Sequence, residues 1–144
     1  MTATARVLEI LGGPKVLGAK PKTDLDFIDL MRRGLPYRAL KVTTAALGLT
    51  LREISTVLAF KHRTLARRRH DARLTPAESE RVLRLARVTA RAEEVFADRG
   101  NAHTWLRQPN RVLGDRAPME LLDTDLGAEA VLQVLYRIED GVFS

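Results

Sequence analysis

The chain has no cysteine among its 144 residues. Disulfide bonds and thiolate catalysis are therefore excluded. It has no run of 18 apolar residues either, so no membrane span is predicted. The first residues lack the basic start, apolar stretch and cleavage site of a secretion signal, and we expect a cytoplasmic protein.

Catalytic motifs are also missing. The three histidines, His62, His70 and His103, show neither pairing with a nucleophile nor the spacing of metal ligands. There is no glycine-rich phosphate loop. We therefore expect a binding protein rather than an enzyme, with no metal and no cofactor.

Charge is distributed unevenly along the chain. Residues 1–73 hold 15 Lys or Arg against 6 Asp or Glu, a formal charge of +9, whereas residues 74–144 hold 9 against 12, a formal charge of −3. A basic half joined to a mildly acidic half indicates two different partners. The alternative is a chance distribution of solvated surface charge.

The hydrophobic fraction of 45% is enough for a core, and helix signals are frequent while alternating strand patterns are not. We predict an all-α fold in which an N-terminal helix-turn-helix-like lobe packs on a C-terminal helical lobe. The predicted regions are a flexible segment over 1–22, a helix-turn-helix-like DNA-binding or dimerisation region over 23–74, and a C-terminal domain over 75–144.

Capping residues locate the helices. Thr50 with Glu53 and Thr75 with Glu78 have the spacing of capping boxes, and Thr124 is a further N-cap candidate. Helices are predicted over roughly 5–11, 25–33 (capped by Asp24), 36–47, 51–59, 62–71, 76–98 and 125–140.

Helical spacing also predicts which faces are buried. On the long helix, which Gly100 is predicted to end before an Asn101-capped turn, the shared apolar face is Val82, Leu85, Ala86, Thr89 and Phe96. A second face of that helix carries Arg84, Arg87 and Arg91. On the last helix the predicted apolar stripe is Leu126, Ala130, Val131, Val134, Leu135 and Ile138.

Residues 50–70 have the pattern of a helix-turn-helix. Ile54, Leu58, Phe60 and Leu65 lie at the spacing that holds two such helices together, and Ser55 is small where the helices cross. The second helix of this motif places side chains in the major groove of DNA, while flanking groups hold phosphates. The candidate DNA-binding residues are Thr50, Arg52, Lys61, His62, Arg63, Thr64, Arg67, Arg68, Arg69 and Arg73.

One position departs from the motif. Ala59 stands where the turn needs a left-handed backbone and usually has glycine, at a cost of about 1 kcal/mol. The alternative to DNA contact is an arginine-rich solvated face on a helical bundle.

The last third of the chain carries the most specific pattern, W-L-x-x-P-N-x-x-L-G, then P-x-x-L-L-x-T, then a helix that ends in R-I-E-x-G. Further segments precede it in a fixed order: GLPYRAL (34–40), RTLARR (63–68), RLTPAESERVLRLARV (73–88) and AEEVFAD (92–98). Over about residues 34–144 the chain resembles the Xre/ParS/MbcA-type antitoxins, the partners of RES-domain toxins in bacterial type II toxin–antitoxin modules.

This resemblance implies a function. Such antitoxins bind a toxin that consumes NAD, by degrading it or by transferring its ADP-ribose, and cover its cleft with their C-terminal domain. Their N-terminal part forms a homodimer and in many members represses the operon. The implied partners are the cognate RES-domain toxin, operator DNA and a second copy within a hetero-oligomeric complex, with no enzymatic activity and no membrane.

Candidate toxin-binding residues lie in the C-terminal block: Trp105, Asn110, Tyr136, Arg137, Glu139, Asp140, Gly141, Val142, Phe143 and Ser144. For Trp105 we favour an anchor beneath the following loop, since a lone tryptophan is usually buried. The carboxylate of Ser144 is a candidate for an anion site in the toxin, where arginine would hold the pyrophosphate of NAD.

Two positions depart from the family pattern. Asp115 stands where a second glycine is common, and Lys61 and His62 replace a more usual Ile-Ser pair. Two alternatives stay open: a stand-alone helix-turn-helix regulator without a toxin, and an antitoxin that has lost DNA binding.

Overall fold

The computed structural model describes residues 2–61, 63, 65 and 72–141. In these ranges the protein is all-α, and the only extended pairings are two isolated bridges. The α-helices are α1 (Ala3–Ile10), α2 (Gly13–Leu17), α3 (Asp24–Arg33), α4 (Tyr37–Ala46), α5 (Leu51–Val57), α6 (Pro76–Phe96), α7 (Arg99–Arg107) and α8 (Asp125–Glu139). Two 3-10 helices span Arg111–Leu113 and Pro118–Leu121. Within the described ranges, no helix combines the length and apolar character needed to cross a membrane.

Short local signals start most of these helices. The predicted capping boxes of α5 and α6 are confirmed: the Glu53 N–H donates to Thr50 Oγ1 over 3.1 Å, and the Glu78 N–H donates to Thr75 Oγ1 over 3.1 Å. Thr124 caps α8 as predicted. For α3 the predicted cap was wrong by one residue, because Thr23 forms a capping box with Asp26 and Asp24 is the first helical residue.

The N-terminal segment differs from the flexible connector expected over 1–22. It contains α1 and α2, and its apolar side chains Val7, Ile10, Leu11 and Leu17 are buried. The first three lie at i, i+3 and i+4, so one face of α1 meets the core. Gly12 and Gly13, both at positive φ, turn the chain from α1 into α2.

The long helix α6 lies at the centre of the molecule. Helices α1, α3, α7 and α8 all pack against it. Of its predicted apolar face, Val82, Leu85, Ala86 and Thr89 are buried and Phe96 is half-buried. The buried side chains of both lobes form one continuous core, so the helix-turn-helix-like lobe packs directly on the C-terminal lobe.

The predicted end of the long helix at Gly100 is wrong. Helix α6 ends at Phe96, and Ala97 turns the backbone into the left-handed region with φ of 54°. Asp98 rather than Asn101 then caps α7, because its Oδ1 accepts from the Asn101 N–H over 2.8 Å. Gly100 lies inside α7.

Most of the predicted stripe on the last helix is confirmed. Val131, Val134 and Leu135 are buried, and Ala130 and Ile138 are half-buried. Leu126 is the exception, with 76% of its surface exposed. It lies in the first turn of α8, on the side of the helix that faces away from the core.

Candidate functional site

The helix-turn-helix packs as its apolar spacing predicts. Ile54, Leu58 and Leu65 are almost completely buried, Phe60 nearly so, and the small Ser55 is buried on α5. The Leu65 N–H donates to the Lys61 carbonyl over 3.1 Å, which is the helical hydrogen bond expected where the second helix begins.

The turn keeps its left-handed geometry although it lacks glycine. Ala59 has φ of 57°. The Phe60 N–H donates to the Ser55 carbonyl over 2.8 Å, and the guanidinium of Arg81 lies 5.7 Å from the centre of the Phe60 ring. The turn therefore keeps the left-handed conformation that usually has glycine, with Phe60 packed beside it.

Several DNA-binding candidates lie on the surface of this lobe. Thr50, Arg52, Lys61 and Arg63 are exposed. Arg73 is exposed as well, but its guanidinium donates to the Gly34 carbonyl over 2.7 Å. Five further candidates lie outside the described residues: His62, Thr64, Arg67, Arg68 and Arg69.

An arginine from the C-terminal lobe fixes the start of the motif. Arg107, at the end of α7, donates to the carbonyls of Leu47 and Gly48 over 2.8 and 3.0 Å. These carbonyls lie just before Thr50, the cap of α5. The two lobes are therefore coupled at the entry to the helix-turn-helix.

The loop after α7 is built from its own polar groups. Asn110 Oδ1 accepts from the Val112 N–H over 3.0 Å, and the Asn110 carbonyl accepts from the Asp115 N–H over 2.9 Å. Asp115, the departure from the family pattern, adopts the left-handed backbone with φ of 61°. Aspartate tolerates this region better than most residues, so the turn keeps its shape without a second glycine.

Trp105 is half-buried and packs against Phe96, with ring centres 5.6 Å apart and planes inclined by 45°. This contact joins α7 to the end of α6. The aromatic partner of Trp105 lies in α6, so its predicted place beneath the following loop stays a prediction.

One side of the last helix is exposed along its whole length. Its most exposed apolar residues are Leu126 and Tyr136, the latter at 59%, and Leu132 is exposed at 39%. Asp125 and Glu139 are also exposed but are bound by arginines of α6. We define the outer face of α8 as Leu126, Glu129, Leu132, Gln133, Tyr136, Arg137 and Asp140. Sequence reasoning selected the last three but missed the other four, although they share the helical spacing that leads away from the buried stripe.

The remaining toxin-binding candidates have different positions. Glu139 is bound by Arg91 through two hydrogen bonds of 2.6 and 3.0 Å. Gly141 follows the helix with φ of 79° and is exposed. Val142, Phe143 and Ser144 lie outside the described residues.

The arginine face of α6 binds acidic groups from other helices. Arg84 reaches Asp125 over 2.5 Å, Arg87 reaches Asp24 over 3.4 Å, and Arg91 reaches Glu139. These arginines therefore hold helices together instead of forming a free basic surface.

A second polar cluster joins α1, α6 and α7. Glu93 is buried and accepts from Arg6 Nε over 2.5 Å and from Arg6 Nη2 over 3.0 Å, while His103 Nε2 lies 2.8 Å from its Oε2. Burial raises the pKa of Glu93, but the hydrogen bonds from Arg6 and His103 outweigh it and hold the pKa of this carboxyl below its usual value. Among the described residues, no group of three His, Cys, Asp or Glu side chains could hold a metal ion.

The fold and these surfaces define a two-lobed helical binding protein, with a helix-turn-helix in one lobe and an exposed amphipathic helix in the other. Residues 26–87 match the sequence model of the antitoxin Xre-like helix-turn-helix domain. Residues 91–141 match that of the antitoxin Xre/MbcA/ParS C-terminal toxin-binding domain. The chain belongs to the Xre/MbcA/ParS antitoxin family.

Individual relatives agree with this assignment. The chain is 46% identical over 94 residues to an "Antitoxin Xre" of Yersinia enterocolitica, covering 64% of each chain. It is 40% identical over 80 residues to an "Antitoxin Xre" of Pseudomonas putida, covering 55% of this chain and 50% of that one. This chain thus spans between half and two thirds of the length of these two relatives. It is 30% identical over 130 residues to a "Prs ADP-ribosylating antitoxin" of a Sphingobium species, covering 83% and 82%.

A solved structure shares the fold. One chain of the crystal structure of the M. tuberculosis MbcT-MbcA toxin-antitoxin complex superimposes with a TM-score of 0.52 at 26% identity. The match covers 85% of this chain and the whole of that chain.

Proposed function

We propose that this protein is the antitoxin of a type II toxin–antitoxin module, and that it neutralises a RES-domain, NAD-consuming toxin by covering its active-site cleft. The observation that carries the proposal is the outer face of α8, an exposed apolar and charged strip within the matched toxin-binding domain. Exposed aromatic and apolar side chains of this kind are typical anchors of protein interfaces.

The mechanism is occlusion rather than catalysis. Helix α8 is folded and packed on α6 before any partner arrives, so little conformational entropy is lost on binding. The RES identity of the toxin rests on the family resemblance, and the name of the Sphingobium relative, which refers to ADP-ribosylation, fits NAD chemistry in the partner. That Val142, Phe143 and Ser144 enter the cleft stays a prediction.

The test is neutralisation of the RES-domain protein that the proposal predicts to be encoded beside this gene. We expect the wild-type chain to protect cells that produce it, and Tyr136→Ala to weaken binding to the purified toxin by about tenfold or more, as for an interface aromatic. Because Tyr136 is exposed, its replacement should leave thermal stability almost unchanged.

Lys41→Ala, at an exposed position on α4, is the matched control and should bind like the wild type. Cells poisoned to the same extent with and without the wild-type chain would refute the proposed function. Equal affinities of Tyr136→Ala and Lys41→Ala would remove the outer face of α8 from the interface.

We also infer that the helix-turn-helix binds operator DNA and represses the operon. The turn geometry at Ala59 and the exposed Arg52, Lys61 and Arg63 support this inference, as does the charge of +9 over residues 1–73. A two-fold operator requires two copies. The exposed Leu25 and Ile28 on α3 are the candidate dimer surface, which fits the predicted dimerisation region over 23–74.

Salt dependence tests DNA binding. We expect affinity for a fragment of the chain's own promoter to fall steeply with salt, and Arg52→Ala to lower the slope of log K against log salt by about one. Arg111→Ala, an exposed arginine of the C-terminal lobe, should leave the slope unchanged. Absence of any salt-dependent binding would instead identify an antitoxin that binds only protein.

A stand-alone transcriptional regulator is the second candidate function, supported by the intact helix-turn-helix turn. It does not account for the exposed apolar residues on α8. Promoter binding by a chain that shows no affinity for the neighbouring RES-domain protein would favour it.

A further inference from the structure

Arg91 of α6 and Glu139 of α8 form an ion pair at the C-terminal end of α8. Arg91 Nη2 donates to Glu139 Oε1 over 2.6 Å and Arg91 Nη1 donates to Glu139 Oε2 over 3.0 Å. The two residues are 48 positions apart, and the pair joins the last third of α6 to the last residue of α8. This two-pronged geometry fixes the orientation of a carboxylate as well as its distance.

The helical spacing explains why Glu139 faces α6. It lies four residues after the buried Leu135 and three after the exposed Tyr136, at the edge of the helix next to α6, with 47% of its side chain exposed. Tyr136 and Asp140, also four residues apart, lie on the outer side. The hydrogen bonds from Arg91 keep the pKa of Glu139 below its usual value, so the carboxylate stays ionised at neutral pH.

The other end of α8 is held in a similar way. Arg84 donates to Asp125 over 2.5 Å and to the Leu122 carbonyl over 3.2 Å. Two arginines of one helix thus fasten both termini of α8, and the outer face between them is presented in a single orientation. A surface whose orientation is fixed in advance loses less entropy when it binds.

We propose that Glu139 is a positioning residue for toxin binding: through Arg91 it holds the C-terminal end of α8 so that Tyr136 and Asp140 face the toxin, and it does not itself contact the toxin. This proposal rests on the proposed antitoxin function. It reassigns a residue that sequence reasoning placed among the direct contacts.

The test is a double-mutant cycle of Arg91→Gln, Glu139→Gln and the double variant, with affinity for the purified neighbouring RES-domain protein as the readout. We expect each single change to weaken binding by roughly two- to fivefold, the scale of a partly exposed ion pair. The double variant should be no weaker than either single variant, because both remove the same interaction. Glu94→Gln, which removes the other partner of Arg91, is the control and should bind like the wild type.

A direct contact would give a different result. Glu139→Gln would then lose affinity while Arg91→Gln kept it, or the two losses would multiply in the double variant, and either outcome overturns the proposal. Hydrogen exchange on the free antitoxin is the second readout. Amides over 137–141 should exchange faster in both single variants than in the wild type, and unchanged exchange would also overturn it.

Different results would refute the proposed antitoxin function and the positioning role of Glu139. If the wild type does not bind the RES-domain protein, the proposed function is wrong, but hydrogen exchange still reports whether the pair orders the end of α8. If the wild type binds and the cycle shows no coupling, only the positioning role is wrong.

Discussion

Replacing Gly127 with alanine is expected to destabilise the C-terminal lobe strongly. A Cβ atom at this position would lie 1.8 Å from the Leu121 carbonyl oxygen and 2.8 Å from the Leu121 carbonyl carbon. Backbone atoms cannot move aside as a flexible side chain can, so α8 would have to shift away from the 3-10 helix Pro118–Leu121. We expect a loss of about 3 kcal/mol or more, at the upper end of overpacking costs.

The expected loss of stability is opposite in direction to the effect of an ordinary glycine-to-alanine change in a helix. Gly127 is helical, and glycine to alanine in a helix normally stabilises by roughly 0.5–1 kcal/mol. Gly100→Ala in α7 is the matched control, because the nearest atom to its added Cβ is Asp98 Oδ1 at 3.2 Å, and this capping side chain needs to shift by only a few tenths of an ångström.

Thermal or urea unfolding of both variants measures the difference. The expected loss for Gly127→Ala corresponds to a fall in Tm of roughly 10 °C for a chain of this size, with Gly100→Ala within about 2 °C of the wild type. Two variants of equal stability would contradict the close approach of Leu121 to α8.

Helix starts were predictable from the sequence because their signals are local. A hydroxyl and a carboxylate three residues apart satisfy each other's backbone donors wherever the pattern occurs, as at Thr50 with Glu53 and at Thr75 with Glu78. The same holds for the helix-turn-helix, whose apolar anchors all lie within about a dozen residues.

Helix ends and burial were less predictable because they depend on distant contacts. Gly100 resembles a stop signal, but the chain turns earlier at Ala97, where Asp98 supplies a new cap. Leu126 fits an apolar stripe by spacing, yet its side chain is exposed, whereas Gly127 and Ala128 in the same turn lie against the rest of the lobe. The segment 1–22 has the composition of a linker, and only the rest of the core shows why Leu17 is buried.

In the candidate site, too, local features were predictable from the sequence and long-range contacts were not. Spacing alone identified Arg84, Arg87 and Arg91 as one face of the long helix. Their partners lie 41, 63 and 48 residues away in the sequence, so the pairing of Arg91 with Glu139 required the fold. For that reason the sequence placed Glu139 among the toxin-binding candidates, and its hydrogen bonds to Arg91 became visible only in the fold.

Glu93→Ala is expected to have the second large effect, again on stability. The carboxylate is 7% exposed and holds Arg6 of α1 and His103 of α7 together. Its removal would leave the guanidinium of Arg6, itself only 13% exposed, beside an apolar side chain. Arg6 keeps its more exposed partner Glu9 at 3.0 Å, so the lost buried carboxylate is compensated only in part, and we expect a loss of roughly 2 kcal/mol or more.

Glu94→Ala is the control for this change, because the neighbouring carboxylate is exposed and its loss should cost less than about 0.5 kcal/mol. Urea unfolding at neutral pH separates the two variants. Similar free energies of unfolding for both would show that the Glu93 cluster does not hold α1 to the core.

The pH dependence follows from the direction of the shift. The pKa of Glu93 is lower in the folded chain than its usual value, so its stabilisation is fully present above the unfolded pKa of about 4.3 and is lost as pH falls through the folded pKa. The difference in unfolding free energy between the wild type and Glu93→Ala should therefore shrink below about pH 4. A difference that persists unchanged into acid would mean that Glu93 stabilises the fold by its packing alone, since only its charge is removed by protonation.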